Sequence, residues 1–272
     1  MDYPLWLFAF GLLVGTAGTL IGAGGGFVLV PVLLLLYPHA TPETITSISL
    51  AVVFFNALSG SWAYARMKRI DYRSGLLFAT ATIPGAIIGA LTTNHIPRRW
   101  FDAVFGLLLT GAAAYLLRYR TDADLPPGQK NPRHVERRIV EANGTAHVYS
   151  FNLRLGLWLS LFVGYVSSVL GIGGGIVHVP ALVRLLNFPV HIATATSHFI
   201  LAVMALTGTI VHVAAGSFSH ADVSRTAFLG LGVVFGAPIG AALSVRVHGK
   251  WIIRGLAIAL AFVGLRILWM AR

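Results

Sequence analysis

The sequence predicts an all-α polytopic membrane protein made of two homologous halves, with eight to ten membrane segments. The first observation is composition: 56% of the 272 residues are hydrophobic, 11% are charged, and the mean hydropathy is +0.78. A soluble chain of this length cannot bury so much apolar surface. The second is that the apolar residues form runs long enough to cross a bilayer. The third is a repeated motif: LIGAGGGFVLVP at Leu20–Pro31 returns as LGIGGGIVHVP at Leu170–Pro180.

The charge distribution indicates membrane topology and not nucleic-acid binding. The net charge is +11, and four basic residues lie between Arg66 and Arg73 and seven between Arg118 and Arg154. Basic residues gathered in loops between apolar runs mark cytoplasmic segments. The chain has no cysteine, which excludes disulfides and Cys-based metal or redox sites. We therefore predict a multi-pass protein of the cell membrane with both basic regions in the cytoplasm.

The first half, residues 1–117, holds four apolar segments long enough to span and one short segment. The run Gly24, Gly25, Gly26 is predicted to end the first helix, because each glycine costs about 1 kcal/mol relative to Ala in a helix interior. The segment that follows is too short to cross about 30 Å of hydrocarbon. Pro42 and Glu43 are typical of the start of the next helix. The predicted segments are Leu5–Ile21, Phe27–Leu36, Ile45–Ala65, Gly75–Thr93 and Trp100–Leu117.

Residues 118–152 form the one clearly polar segment. Asn143–Gly144 is a typical hairpin turn, and Arg138 to Tyr149 are predicted to form two short strands around it. The segment is too short to bury a core of its own. We therefore interpret it as a cytoplasmic linker with a β-hairpin and not as a catalytic domain.

The second half, residues 153–272, repeats the pattern of the first, including a second break at Gly173, Gly174 and Gly175. Matches elsewhere, such as Arg99–Trp100 with Lys250–Trp251, indicate a repeat of the whole half. Five membrane elements per half would invert the second half, whereas four would make the halves parallel. The basic residues fit both arrangements, and we favour inverted halves. The predicted segments are Leu153–Leu170, Ile176–Leu186, Val190–Ala215, Val223–Val245 and Trp251–Trp269.

Each glycine run is also predicted to form half of an anion site. A helix that begins within the membrane directs unpaired N–H groups, and about half a positive charge, towards its N-terminus. The alternative is that the glycines allow close helix packing. Broken segments at matching positions of two halves favour the substrate site of a transporter. We expect a side chain at Gly25 or Gly174 to block the anion and leave the protein folded.

Hydroxyl groups cluster where the helix after each short segment begins. Neutral donors suit an oxyanion that must bind and then leave, although a single Ser or Thr more often bonds to its own helix. Asn56 is an amide within an apolar span, where polar groups are costly and often functional. Its counterpart in the second half is Met204. Besides Asn56, the predicted binding residues of this class are Thr46, Ser47, Ser49, Thr194, Thr196 and Ser197.

His178 and His198 complete the predicted substrate site. Both are expected near the glycine runs, where a histidine can carry a proton or a positive charge, although a packed neutral histidine is an equal alternative. No histidine pair has the spacing of a zinc site, and no Walker A motif is present, so no metal, cofactor or ATP hydrolysis is predicted. No serine is paired convincingly with a base, and we predict no catalytic residue.

The motif G-x-G-G-G-x-x-x-x-P, at Gly22–Pro31 and Gly171–Pro180, resembles that of the TauE/SafE sulfite-exporter family, also called the 4-toluenesulfonate uptake permeases. The resemblance covers nearly the whole chain except the linker. It implies a permease of the bacterial inner membrane for sulfur-containing anions such as sulfite, sulfonates or sulfoacetate.

The expected function is secondary transport of a small sulfur-containing or organic oxyanion without ATP. The alternative is a non-transporting membrane scaffold or partner subunit that docks a soluble enzyme through the linker. A membrane enzyme that uses the histidines is a third, weaker hypothesis. The expected partners are the anionic substrate and the lipid bilayer, and not nucleic acid.

Overall fold

The structure, a computed structural model, describes residues 3–118, 134–246 and 249–270. These residues form ten α-helices and one two-stranded sheet, so the prediction of an all-α membrane protein is confirmed. Each predicted apolar segment corresponds to one helix. The elements are α1 (Pro4–Ile21), α2 (Gly26–Leu36), α3 (Pro42–Arg66), α4 (Tyr72–Thr93), α5 (Arg98–Arg118), β1 (His134–Val140), β2 (Ala146–Asn152), α6 (Leu153–Leu170), α7 (Gly175–Leu185), α8 (Val190–Ala214), α9 (His220–Ser244) and α10 (Gly249–Met270).

Six of these helices are long and apolar enough to cross a membrane, namely α1, α3, α4, α6, α8 and α9. By contrast, α2 and α7 have 11 residues each. At about 1.5 Å per residue such a helix is about 16 Å long, roughly half the hydrocarbon thickness. The protein is therefore a multi-pass membrane protein in which two helices are too short to cross the bilayer.

Both glycine runs break the helix, as predicted. α1 ends at Ile21 and α6 at Leu170, and in each case a four-residue loop precedes the short helix. We call these the first glycine loop (Gly22–Gly25) and the second glycine loop (Gly171–Gly174). In each loop three glycines have φ between 68° and 83°. This left-handed conformation is strained for residues with a side chain, so the loops depend on glycine.

The two halves interlock, because α1 packs along α9 and α4 packs along α6. Gly11 lies against Leu229 and Gly15 against Val233, which shows that α1 and α9 run in the same direction. At such positions the backbones approach so closely that a side chain would not fit. Small residues serve this purpose in membrane bundles, where helix association depends on close packing.

α3 and α8 cross the centre of the bundle in opposite directions. Glu43, at the start of α3, accepts a hydrogen bond from Ser217, just after α8. Gly60, near the end of α3, packs against His198, near the start of α8. Corresponding helices that run in opposite directions are what inverted halves require. That the halves are duplicates of one another stays a prediction.

The hairpin of β1 and β2 covers one end of the bundle, which we call the hairpin side. The strands pair antiparallel from His134 with Asn152 to Val140 with Ala146. They enclose the predicted Asn143–Gly144 turn and extend further than the predicted strands on both sides. The N–H of Ala142 donates to the carbonyl of Met67 in the α3–α4 connection. The cytoplasmic location of this side stays a prediction.

Candidate functional site

The two glycine loops lie against each other in the centre of the bundle. A side-chain carbon added at Gly26, the first residue of α2, would lie 2.7 Å from the carbonyl group of Ile172. One added at Gly175, the first residue of α7, would overlap the carbonyl of Gly22. Both loops also pack on Val53, near the middle of α3. The structure thus brings the six glycines predicted as site residues into one buried region.

Both short helices begin in this region without a side-chain cap. Gly25 is the N-cap of α2 and Gly174 is the N-cap of α7, and neither has a side chain that accepts from the first-turn N–H groups. Each helix N-terminus carries about half a positive charge. Two such ends in one buried region provide N–H donors and a potential that favour an anion.

The third helix of each half holds the glycine loop of the other half through a serine. Ser49 of α3 donates a hydrogen bond of 2.6 Å to the carbonyl of Gly171. Ser197 of α8 makes the matching contact with the carbonyl of Gly22, at a longer distance of 3.5 Å. Both predicted serines therefore lie beside the loops, where they bond to carbonyl groups.

The other predicted hydroxyl residues have different surroundings. Thr46 and Thr194 pack closely against the two loops, but each hydroxyl bonds to a carbonyl one turn back in its own helix. Ser47 also bonds within its own helix. Thr196 lies apart from the loops, where its hydroxyl accepts a hydrogen bond from the N–H of Asp71 at the hairpin side.

A buried polar cluster joins the predicted residues Asn56 and His198 through Thr19, which was not predicted as a site residue. The hydroxyl of Thr19, in the last turn of α1, lies 3.1 Å from Asn56 Oδ1 and 3.1 Å from His198 Nε2. The hydroxyl of Tyr64 donates to the carbonyl of Thr19. All four side chains are at most 1% exposed. We call Thr19, Asn56, Tyr64 and His198 the Thr19 cluster.

The positions that match the Thr19 cluster in the repeat hold a less polar set of side chains. The positions that match Thr19, Asn56 and His198 are occupied by Ser168, Met204 and Leu50. Gly208 packs against Leu50 in the way that Gly60 packs against His198. The site therefore has two similar backbone loops but only one side with an amide and an imidazole.

His178 lies outside the Thr19 cluster. Its Nε2 atom is 3.2 Å from the hydroxyl of Ser160 on α6, and its ring packs near the ring of Phe78. Ser160 also donates to a carbonyl of its own helix. His178 lies in the first turn of α7, where its backbone N–H donates to the carbonyl of Gly174, and its side chain packs beside Phe78 and not in the Thr19 cluster.

The expectation for glycine substitutions requires a correction. Gly25 and Gly174 have φ of 83° and 73°, so any side chain there strains the backbone. An added carbon would also lie 2.6 Å from a methyl of Val14 at the first position and 2.8 Å from the hydroxyl of Ser167 at the second. Substitution therefore lowers stability whether or not an anion binds, and it does not separate the packing role from the binding role.

Two cavities lie at opposite ends of α3. The one on the hairpin side has a volume of about 320 Å³, and Arg66 and Arg69 contribute to its wall. The one at the far end has a volume of about 380 Å³, and His39 and Arg98 contribute to its wall. Cationic side chains thus line a cavity on each side of the buried centre.

Ion pairs that are largely buried hold the hairpin to the bundle. Arg69 donates to Glu141 at 2.8 Å and also contacts Ser244 at the end of α9. Burial acts to raise the pKa of Glu141, but hydrogen bonds from Arg69 and His147 outweigh burial and lower this pKa below its ordinary value. The hairpin therefore bonds to the α3–α4 connection, which in turn contacts the end of α9.

A second hairpin contact joins Tyr149 to Asp71. The Tyr149 hydroxyl donates to the Asp71 carboxylate at 2.9 Å. Burial, and then the Asp71 charge, raise the pKa of Tyr149 far above its ordinary value. The hydroxyl therefore remains protonated and keeps donating to the carboxylate.

Sequence comparison identifies related proteins along almost the whole chain. Residues 7–267 match the family described as Sulfite exporter TauE/SafE. The chain is 32% identical to a probable membrane transporter protein of Bacillus subtilis, YunE, over 97% of this chain and 96% of that protein. It is 22% identical to a probable membrane transporter protein of Methanocaldococcus jannaschii, over 95% of this chain and 93% of that protein.

No solved structure matches the chain. The family match covers all ten helices, including both glycine loops and the Thr19 cluster. The bundle of membrane-spanning helices is what a transporter requires, and the related proteins are named as transporters and not as enzymes. The chain is therefore a membrane transporter that belongs to the TauE/SafE sulfite exporter family.

Proposed function

We propose that the protein transports a small sulfur-containing or organic oxyanion, of the sulfite, sulfonate or sulfoacetate class, without ATP hydrolysis. The anion binds where the two glycine loops meet. The observation that carries this proposal is the burial of two uncapped helix N-termini, those of α2 and α7, in one region. Such ends supply N–H donors and positive potential without a fixed cationic side chain.

The absence of a strong counter-charge suits a site that must release its ligand. A buried arginine or lysine would hold an oxyanion tightly, because charge-assisted hydrogen bonds are about twice as strong as neutral ones. Among the described residues, the polar side chains near the loops are instead hydroxyls, an amide and an imidazole, including those of Ser49, Ser197, Thr19, Asn56 and His198.

A transporter site needs a route to both sides of the membrane. The loops of both halves meet beside α3 and α8, and a cavity with cationic residues lies near each end of α3. A rocking motion of one half against the other would open the centre to one cavity and then to the other. Transport then follows the anion gradient or a coupled ion gradient.

Flux measurements on the purified protein in liposomes test the proposal. Vesicles that contain only this chain are loaded in turn with sulfite, 4-toluenesulfonate and sulfoacetate, and vesicles without protein serve as the control. We expect protein-dependent flux of at least one of these anions without nucleotide. If none of the three moves faster than in empty vesicles, the scaffold hypothesis, in which the hairpin docks a soluble enzyme, gains support instead.

A further inference from the structure

The Thr19 cluster has a hydrogen-bonding arrangement that leaves one nitrogen of His198 without a partner. Asn56 Oδ1 can only accept, so the single hydroxyl proton of Thr19 is donated to Asn56. The same hydroxyl oxygen must then accept from His198 Nε2, which lies 3.1 Å away. With the Asn56 amide in this orientation, the neutral ring carries its proton on Nε2 and keeps the lone pair on Nδ1.

Two buried polar atoms of the cluster make no hydrogen bond within the described part of the chain. They are His198 Nδ1 and Asn56 Nδ2. A buried polar group without a partner costs about 1–3 kcal/mol. Both groups lie close to the first glycine loop, where they offer a ligand one acceptor and one donor that no protein group occupies.

The surroundings of the His198 ring are polar but not charged. Thr19 faces it from α1, Asn56 and Tyr64 face it from α3, and the Gly22 carbonyl of the first glycine loop lies close enough to interact with it. Arg69, which lies on the hairpin side of Tyr64, is paired with Glu141.

We propose that His198 carries the proton that is co-transported with the anion, with Nδ1 as the proton-binding atom and Asn56 Nδ2 as a donor to the same anion. This inference rests on the proposed function, and it assigns the coupling ion and its residue. Protonation turns Nδ1 from an acceptor into a charged donor. An unpaired charge in this buried region, which has no charged partner for it, is costly, so the proton binds stably only when the anion is present.

The charges balance in this scheme. A proton from water on one side binds Nδ1, and a monovalent oxyanion such as 4-toluenesulfonate binds beside the imidazolium, so the loaded site is neutral; with a divalent anion such as sulfoacetate it carries one negative charge. After the centre opens to the other side, the anion leaves and the uncompensated proton returns to water. One proton thus moves with each anion in the same direction, and the empty carrier is neutral as well.

Proton movement in wild-type liposomes is the first test. The probe is 4-toluenesulfonate, or sulfoacetate if only that sulfonate shows flux, and a trapped pH dye reports the lumen. If only sulfite shows flux, the His198 substitution described next decides, because bisulfite releases its own proton in the lumen. We expect an inward anion gradient to acidify the lumen beyond the change in protein-free vesicles. Anion flux without lumen acidification would overturn the inference while leaving the proposed function intact. No flux of any anion would refute the proposed function itself.

Substitution of His198 tests whether this residue carries the co-transported proton. In His198→Gln, we expect the stimulation of anion flux by external acid to fall at least tenfold. His212→Gln is the matched control, because His212 is also a buried histidine of α8 with an unpartnered ring nitrogen and was not predicted as a binding residue, and we expect its flux to stay within twofold. Full acid stimulation in His198→Gln would overturn the assignment. If that variant melts well below wild type, His198→Leu, which copies the matching Leu50, replaces it.

Discussion

Ser49 donates a hydrogen bond of 2.6 Å to the carbonyl of Gly171, so the central helix of the first half holds the glycine loop of the second half. The two residues are 122 positions apart, and both are buried. This contact explains how a loop of glycines keeps one conformation in the centre of the bundle. It also provides the first testable prediction.

We expect Ser49→Ala to destabilise the protein by about 1–3 kcal/mol, because the Gly171 carbonyl loses its hydrogen-bond donor in a buried region. Ser47→Ala is the matched control, since the Ser47 hydroxyl bonds only to a carbonyl of its own helix. Thermal melting of both variants in detergent makes the comparison. Equal melting temperatures for the two variants would show that the cross-half bond contributes no net stability.

We expect close backbone packing between α1 and α9 to make Gly236 intolerant of any side chain. An added carbon there would overlap the Leu12 carbonyl and lie 2.9 Å from the Thr16 nitrogen. Gly111 on α5 has no atom within 4 Å of the corresponding position. The melting temperature of Gly236→Ala should therefore be much lower than that of wild type. Gly111→Ala should be neutral or stabilising by up to about 1 kcal/mol, since Ala favours helix. A similar loss of stability in Gly236→Ala and Gly111→Ala would contradict the close packing of α1 against α9.

We expect the Arg69–Glu141 pair to make stability depend on pH on the acid side. The pKa of Glu141 is lower in the folded protein than its ordinary value of 4.5. Its stabilising contribution is therefore complete above about pH 4.5, and it is lost as the pH falls through the lower folded pKa. Melting curves between pH 7 and pH 3 should show a steeper loss for wild type than for Glu141→Gln. Parallel curves would contradict the assigned pKa direction.

The stability of variants that lack one or both members of the Arg69–Glu141 pair tests what the pair contributes. Glu141→Ala leaves Arg69 as a largely buried charge without its carboxylate partner and should cost about 3 kcal/mol or more. The double variant Arg69→Met with Glu141→Leu removes both charges and should be closer to wild type in stability. A double variant as unstable as Glu141→Ala would show that the ion pair itself is needed to hold the hairpin.

The sequence was sufficient to predict features that depend on local chemistry. Three consecutive glycines cannot sustain a helix in a stable bundle, and both breaks occur where they were predicted. The Asn143–Gly144 turn was likewise recognisable, because few dipeptides adopt this hairpin conformation. Apolar runs located the helices for the same reason, since a span must be apolar over its whole length.

The sequence was not sufficient to predict contacts that depend on how the halves interlock. Thr19 and His198 are 179 positions apart, and nothing near Thr19 distinguishes it from a threonine bonded to its own helix. Thr196 and Ser197 are neighbours, yet successive residues on a helix point about 100° apart, so only Ser197 faces a glycine loop. The one available signal was the polarity of Asn56 within an apolar span.

The most direct measurement is the affinity of the purified protein for the transported anion in the variant Asn56→Met. This change copies Met204 at the matching position, and it removes an amide nitrogen that has no partner in the described structure. The change also removes Oδ1, the acceptor of the Thr19 hydroxyl, so we expect a loss of stability of about 1–3 kcal/mol, and melting curves will verify that the variant stays folded. If the anion binds between the glycine loops beside the Thr19 cluster, binding should weaken at least tenfold, or about 1.4 kcal/mol. Met204→Leu, the control on the opposite side, should bind as wild type does. Wild-type affinity in Asn56→Met would contradict this location of the anion site.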